Sequence, residues 1–161
     1  VTFACNNWKT DLCNENTDIV AFNAYPGTIP MVPGKPERLE KAVREMFTEI
    51  TSTFRSRYPD KPIMVSESGV AAVYGWHDMA ASVSTEEMQD EYLDDIFRTL
   101  WSNPDIVGYA IWQMNDNRSY SRNSELFDGK TFMGHSRAGI FDLQRRPKKS
   151  DGTVKKYFCR K

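Results

Sequence analysis

A chain of 161 residues is long enough for one domain with a buried core, and 40% hydrophobic with 27% charged residues is the composition of a globular protein. A net charge of −1 excludes nucleic acid as the main partner, because there is no basic excess to neutralise phosphates. No apolar run reaches the length of a membrane span and no stretch has the pattern of a signal peptide, so no membrane partner is expected and the compartment stays open between cytoplasm and export. With 3 cysteines and 2 histidines at no metal-ligand spacing, the thiols are expected to be reduced and neither a metal nor another cofactor is expected. The first residue is Val1 rather than a methionine, which is expected of a cut end.

Taken in order, Val1 to Cys5 has the composition of a strand, and Asn6 to Thr17 is polar and forms a loop with room for a short helix. Asp18 to Asn23 is a continuous apolar run closed by polar residues and predicts a second strand. Ala24 to Lys35, rich in proline and with Gly27 and Gly34, predicts a long loop. Pro36 suits a first helical turn, and Leu39, Val43, Met46, Phe47, Ile50 and Phe54 follow at helical spacing, so a helix should run to about Arg57, ahead of Pro59. Pro62 to Glu67 is a third strand, followed by a loop from Gly69 to Val83. Ser84 and Glu87 form a predicted capping box, with Met88, Tyr92, Ile96 and Leu100 marking the buried stripe of the next helix. Ile106 to Trp112 is a fourth strand and Asn115 to Ser136 a long polar loop. Gly139 to Asp142 is a short extended piece, Arg145, Arg146, Lys148 and Lys149 form a basic turn that is either a solvated surface or paired with acidic neighbours, and a last helix is capped by Asp151.

Strands alternating with helices imply a parallel sheet with right-handed crossovers, and in such folds the site lies at the carboxyl ends of the strands. Here those ends carry Asn6, Asn23, Glu67 and Trp112. Glu67 stands out, because a charge at the edge of a core is costly unless it is paired or used. Carboxylates and amides bind hydroxyls and an indole face stacks on a pyranose ring, so this set is suited to a sugar.

Asp18-Ile-Val-Ala-Phe-Asn-Ala-Tyr25, Pro62-Ile-Met-Val-Ser-Glu-Ser-Gly69, Val107-Gly-Tyr-Ala-Ile-Trp-Gln-Met-Asn-Asp116 and Ala138-Gly-Ile-Phe-Asp142 with Arg145-Arg-Pro-Lys148 resemble, in order and spacing, the last barrel strands and closing segment of glycoside hydrolase family 2, the β-glucuronidases, β-galactosidases and β-mannosidases. The resemblance implies an α/β fold: a partial domain spanning residues 1–161, the carboxyl-terminal half of a (β/α)8 TIM barrel, with about four of the eight strand–helix units, the fifth to the eighth. It implies that Glu67 is the nucleophile of a retaining exo-acting β-glycosidase, that Tyr25 orients it, and that Trp112 walls the terminal-sugar subsite, with a non-proline cis peptide at Trp112-Gln113. Asn23, Asn6 and Asp116 are weaker candidates for hydroxyl contacts. The family's second carboxyl group, the acid/base glutamate, falls on the fourth barrel strand, upstream of Val1, so the isolated 161 residues are expected to be inactive.

In β-glucuronidases an Asn-x-Lys motif ahead of the Gly-Ile-Phe segment binds the uronate carboxylate. This chain has Ser136-Arg137-Ala138 there, a broken pattern that counts against glucuronide and leaves neutral hexosides, galactoside above all, open, although Arg137 can still reach a carboxylate. The implied partners are a carbohydrate substrate and either the missing amino-terminal half of the barrel or a second copy covering the open sheet edges. Beside the enzyme reading stands a non-catalytic sugar-binding or assembly half-barrel that keeps the pocket without the acid.

Overall fold

The computed structural model describes residues 1–26, 36–118, 131–132 and 135–159. Three parallel strands form its main sheet in the order β1-β2-β3: β1 (Val20–Asn23), β2 (Ile63–Ser68) and β3 (Ile106–Ile111). Each crossover carries a helix, α1 (Pro36–Arg57) before β2 and α2 (Glu86–Trp101) before β3, and α3 (Ser150–Phe158) closes the chain. The result is a partial α/β domain with a parallel sheet, as the alternation implied. The loop expected over residues 24–35 falls largely outside the described residues.

The apolar spacing of the helices accounts for how they pack. Val43, Phe47, Ile50 and Phe54 of α1 are fully buried, and Phe47 and Phe54 lie 6.1 and 5.6 Å from the ring of Phe22 on β1. The α2 stripe of Met88, Tyr92, Ile96 and Leu100 is buried as its period required, and α2 packs against both α1 and α3. Phe97 joins the layers: its ring stacks on Tyr157 of α3 at 4.6 Å and meets Tyr109 of β3 edge-on at 5.4 Å. Among the described residues no helix is long and apolar enough to cross a membrane.

Several local expectations are corrected. Val1 to Cys5 is not a strand. It runs beside β1, with the Val1 carbonyl accepting from Asp18 and Ile19 and the Cys5 carbonyl from Asn23. Between these, the Thr2 hydroxyl bonds the Ile19 carbonyl at 2.8 Å, the acceptor a regular ladder would offer to the Phe3 amide. The cap of α2 is Thr85, whose side chain accepts from the Met88 amide, and not Ser84. Ser84 has φ 70°, outside the extended region an N-cap residue occupies. Asp151 lies inside the first turn of α3 and pairs with Lys155, while Lys149 holds the cap position without a capping bond. The stretch expected as an irregular loop over residues 115–136 contains a small antiparallel sheet in the order β4-β6-β5: β4 (Asn117–Arg118), β5 (Thr131–Phe132) and β6 (His135–Ser136). Residues 119–130 of that stretch lie outside the described part.

The basic turn is only partly a surface. Arg146 pairs with Asp142, but the Lys148 ammonium is fully buried. It donates to the carbonyls of Ala72 (2.7 Å) and Arg137 (2.9 Å) and to Asp116 Oδ1 (2.9 Å).

Candidate active site

β2 ends in Ser66-Glu67-Ser68, and its pairing is irregular there on both sides. Against β1, Phe22 pairs with Val65 and the next residue, Asn23, pairs with Glu67. Against β3, Tyr109 pairs with Val65 and Ile111 with Ser68. β2 therefore carries one residue more than each neighbour at this point, a bulge of the kind that re-aims side chains beside functional sites. The backbone past the bulge is held on both sides: the Ala24 amide donates to the Glu67 carbonyl and the Trp112 amide to the Ser68 carbonyl, each at 2.9 Å.

The half-buried Glu67 accepts a hydrogen bond on Oε2 from the Tyr25 hydroxyl at 2.8 Å. Burial, followed by the hydrogen bond and the charge of Glu67, pushes the Tyr25 hydroxyl far above its ordinary range, so it stays a donor at any physiological pH. Asn23, buried on β1, sits in an amide chain. It donates to Asn6 Oδ1 at 2.8 Å and accepts from the Ser66 hydroxyl at 2.8 Å. Asn6, Asn23, Tyr25 and Glu67 are thus brought together across the β1–β2 seam.

Trp112 follows β3 directly, is 43% exposed, and is joined to Gln113 by a cis peptide bond, as expected. Its carbonyl packs on Gly69: a Cβ built there would lie 1.9 Å from the Trp112 oxygen. This contact is why a glycine stands two places after Glu67. It also fixes the end of β3, where Trp112 begins, against the end of β2.

Asp116 is placed differently. It is buried, and its Oδ1 accepts from both the Lys148 ammonium and the Gly139 amide, each at 2.9 Å. Burial pushes its carboxyl up and the Lys148 ammonium down, while each partner holds the other's charge. A Cβ on Gly139 would lie 2.1 Å from the Asp116 amide, so this junction is also closed by backbone contact. Arg137, half-buried, is fixed through its carbonyl, which accepts from the Ala72 amide at 3.0 Å and from Lys148.

Sequence reasoning missed Ser66, Tyr92, Tyr109 and Lys148. Ser66 was discoverable as the strand position next to Glu67. The others make their polar contacts at sequence separations of 11 to 76 residues, which no local pattern conveys. A cleft of about 550 Å3 lined by Lys9, Asp11, Arg57 and Tyr58 also includes Lys61, so it lies at the amino end of β2, opposite Glu67. Among the described residues no cluster of histidine, cysteine, aspartate and glutamate is arranged to hold a metal ion.

Fold and site together define a partial α/β domain that presents a tyrosine-held glutamate and an exposed tryptophan at the carboxyl ends of adjacent parallel strands. No family model matches the chain. Among curated proteins it is 27% identical over 131 residues to a β-glucuronidase of Streptococcus agalactiae, covering 81% of this chain and 20% of that protein. It is 29% identical over 154 residues to a β-glucuronidase of Felis catus, covering 92% and 21%. Among solved structures it is similar to a family 2 β-galacturonidase from Eisenbergiella tayi bound to galacturonate, with TM-score 0.82 and 27% identity over 98% of this chain and 26% of that one. A Ruminococcus gnavus β-glucuronidase matches with TM-score 0.80 and 25% identity over 99% of this chain and 25% of that one. The chain is therefore related to the β-glucuronidase-like members of glycoside hydrolase family 2 over nearly its whole length, and it spans about a fifth of the length of the curated relatives it matches.

Proposed function

We propose that this chain is the carboxyl-terminal half of the (β/α)8 barrel of a retaining, exo-acting β-glycosidase, with Glu67 as nucleophile. The observation that carries the reading is the Tyr25 hydroxyl on Glu67 Oε2 at 2.8 Å, at a two-sided bulge where a parallel strand ends. Similarity to proteins named β-glucuronidase and β-galacturonidase supports the reaction class.

In this mechanism a Glu67 oxygen attacks the anomeric carbon of the terminal sugar and the glycosidic oxygen leaves with the bonding electrons, giving a glycosyl-enzyme that water then opens with retention. Tyr25 keeps one carboxylate oxygen engaged so that the other faces the sugar. Trp112 offers its exposed ring as the wall of the terminal-sugar subsite. Asn23 is fixed by Asn6 and Ser66 and supplies amide polarity beside the nucleophile, for sugar hydroxyls. Asp116 contributes by holding the loop that carries Trp112 and Gln113, and any hydroxyl contact it makes is secondary to its bond with Lys148.

Retaining chemistry needs a second carboxyl group about 5–5.5 Å from the nucleophile. The acid/base glutamate is assigned to the preceding half of the barrel, so the 161 residues alone are expected to be inactive. The substrate class is a β-linked uronide or galactoside. The names of the relatives favour a uronide, and Arg137 is a candidate cation for a uronate carboxylate.

The test is an assay of nitrophenyl β-glucuronide, β-galacturonide and β-galactoside with the full-length protein, its Glu67→Gln variant and the 161-residue chain. Turnover by the full-length protein alone, abolished by Glu67→Gln with the fold intact, is the expected result. Comparable turnover by the short chain, or a fully active Glu67→Gln, overturns the reading. The alternative is a non-catalytic sugar-binding or assembly half-barrel. It draws support from Asp116, the other carboxylate singled out for the pocket, which is buried and paired with Lys148. Sugar binding without turnover by the full-length protein would favour it.

A further inference from the structure

Behind Glu67 lies a second group of hydroxyls that the mechanism above does not use. The Tyr109 hydroxyl of β3 donates to the Ser68 carbonyl at 3.1 Å. The Tyr92 hydroxyl of α2 lies 3.4 Å from Ser68 Oγ. Both tyrosines are buried, at 9% and 0% exposure. A buried phenol costs more to desolvate than a phenyl ring of nearly the same volume, so a hydroxyl at such a position implies a bond it must make. Burial also pushes both hydroxyls well above their ordinary range, which keeps them protonated.

The residue they converge on, Ser68, comes directly after the bulge. The Ser68 carbonyl takes the Trp112 amide at 2.9 Å as its ladder bond, and the Tyr109 hydroxyl is a second donor to the same oxygen. Two donors fix the direction of a carbonyl where one leaves it free to rock. The next residue, Gly69, is pressed on the Trp112 carbonyl. The backbone leaving Glu67 is therefore clamped from β3, while Tyr25 holds the carboxylate from the other side.

We infer that Tyr109 is a positioning residue for the Glu67 carboxylate: its hydroxyl, backed by Tyr92 through Ser68, locks the bulge from which Glu67 projects. The inference rests on Glu67 being the nucleophile. The packing role of the Tyr109 ring, edge-on to Phe97 at 5.4 Å, is kept by phenylalanine, so Tyr109→Phe removes the hydroxyl alone.

The experiment uses the full-length protein and a 2-deoxy-2-fluoro-β-glycosyl fluoride of the sugar it turns over. A Glu67 oxygen bonds the anomeric carbon, the C–F bond breaks, and fluoride leaves with the electron pair, so the step needs no acid. Tyr109→Phe is expected to slow the maximal labelling rate about tenfold or more, the scale of a reacting group displaced by a fraction of an ångström, with the half-saturating concentration within about twofold. Tyr157→Phe, which loses a hydroxyl bond to Asp94 on the helical side, is the stability control and is expected to label at the wild-type rate. An unchanged labelling rate in Tyr109→Phe, a change in half-saturation alone, or a loss that only matches the folded fraction by circular dichroism overturns the inference. An adduct that maps by mass spectrometry to a residue other than Glu67 in the wild-type protein instead overturns the nucleophile assignment itself.

Discussion

Asp95 shows how one side chain carries a cost that its neighbours only partly offset. It lies on α2, nearly buried, with Arg98 as its ion-pair partner one turn on. Burial pushes its carboxyl up to about 6, with Glu40 and Asp94 adding repulsion that the half-exposed Arg98 does not cancel. The folded state thus binds the proton more tightly than the unfolded chain, whose aspartates titrate at about 3.9. The protonated group costs nothing below about pH 4. The penalty grows as pH rises and is complete above the folded value of about 6. Two units correspond to at most about 3 kcal/mol, cut by solvent screening to about 1 kcal/mol. Asp95→Asn should therefore gain stability relative to the wild-type chain as pH rises from 4 to 7, by about 1 kcal/mol in urea unfolding. A pH-independent difference between the two proteins would contradict this.

The junctions between elements are held by close backbone approach and by one buried ammonium. At Gly69 a methyl group would meet the Trp112 carbonyl at 1.9 Å, and both partners are main chain, so neither can swing aside. Gly69→Ala is expected to lower stability by about 1–3 kcal/mol, read as a lowered thermal midpoint, and, under the proposed function, to cost sugar affinity by displacing Trp112. Lys148 is the larger commitment. Lys148→Met leaves the Asp116 carboxylate and the Ala72 and Arg137 carbonyls without their donor, an expected loss of about 3–5 kcal/mol in urea unfolding. Adding Asp116→Leu should recover part of that loss but not all, because the two carbonyls remain unpaired. Full recovery by the double variant would reduce Lys148 to a simple ion pair. These junctions also mark the limit of what sequence conveys. The α1 and α2 stripes and the apolar runs of β1 to β3 are local periodicities, and the Tyr25–Glu67 pair followed from motif resemblance. Lys148 stands in a run of basic residues that is locally identical to a solvated surface, and its acceptors lie 11, 32 and 76 residues away. The cap of α2 falls on Thr85 rather than Ser84 because Ser84 takes a positive φ, a backbone choice no side chain announces.

At the scale of the whole molecule the two flanks of the main sheet differ. The Val1 to Cys5 segment runs along the outer edge of β1. On the other flank β3 has a single strand neighbour among the described residues, β2. There Met64 pairs with Gly108 while Ile63 pairs with Ile106, so Val107 is an extra residue in β3 and is 62% exposed. Trp101 and Phe158, 5.9 Å apart edge to face, are also about half exposed. A strand edge with one strand neighbour, carrying an exposed valine, is a surface for pairing with another chain. In the proposed enzyme that surface is covered by the rest of the barrel. Without it the 161-residue chain is expected to self-associate, with light scattering giving a dimer or larger species at micromolar concentration. A lysine is a common device for blunting an edge, so Val107→Lys should shift the chain toward monomer without lowering its helix content. A monodisperse monomer in the unsubstituted chain would mean that the β3 edge is protected by some means other than a partner, and would remove the physical reason for assigning it to a barrel seam.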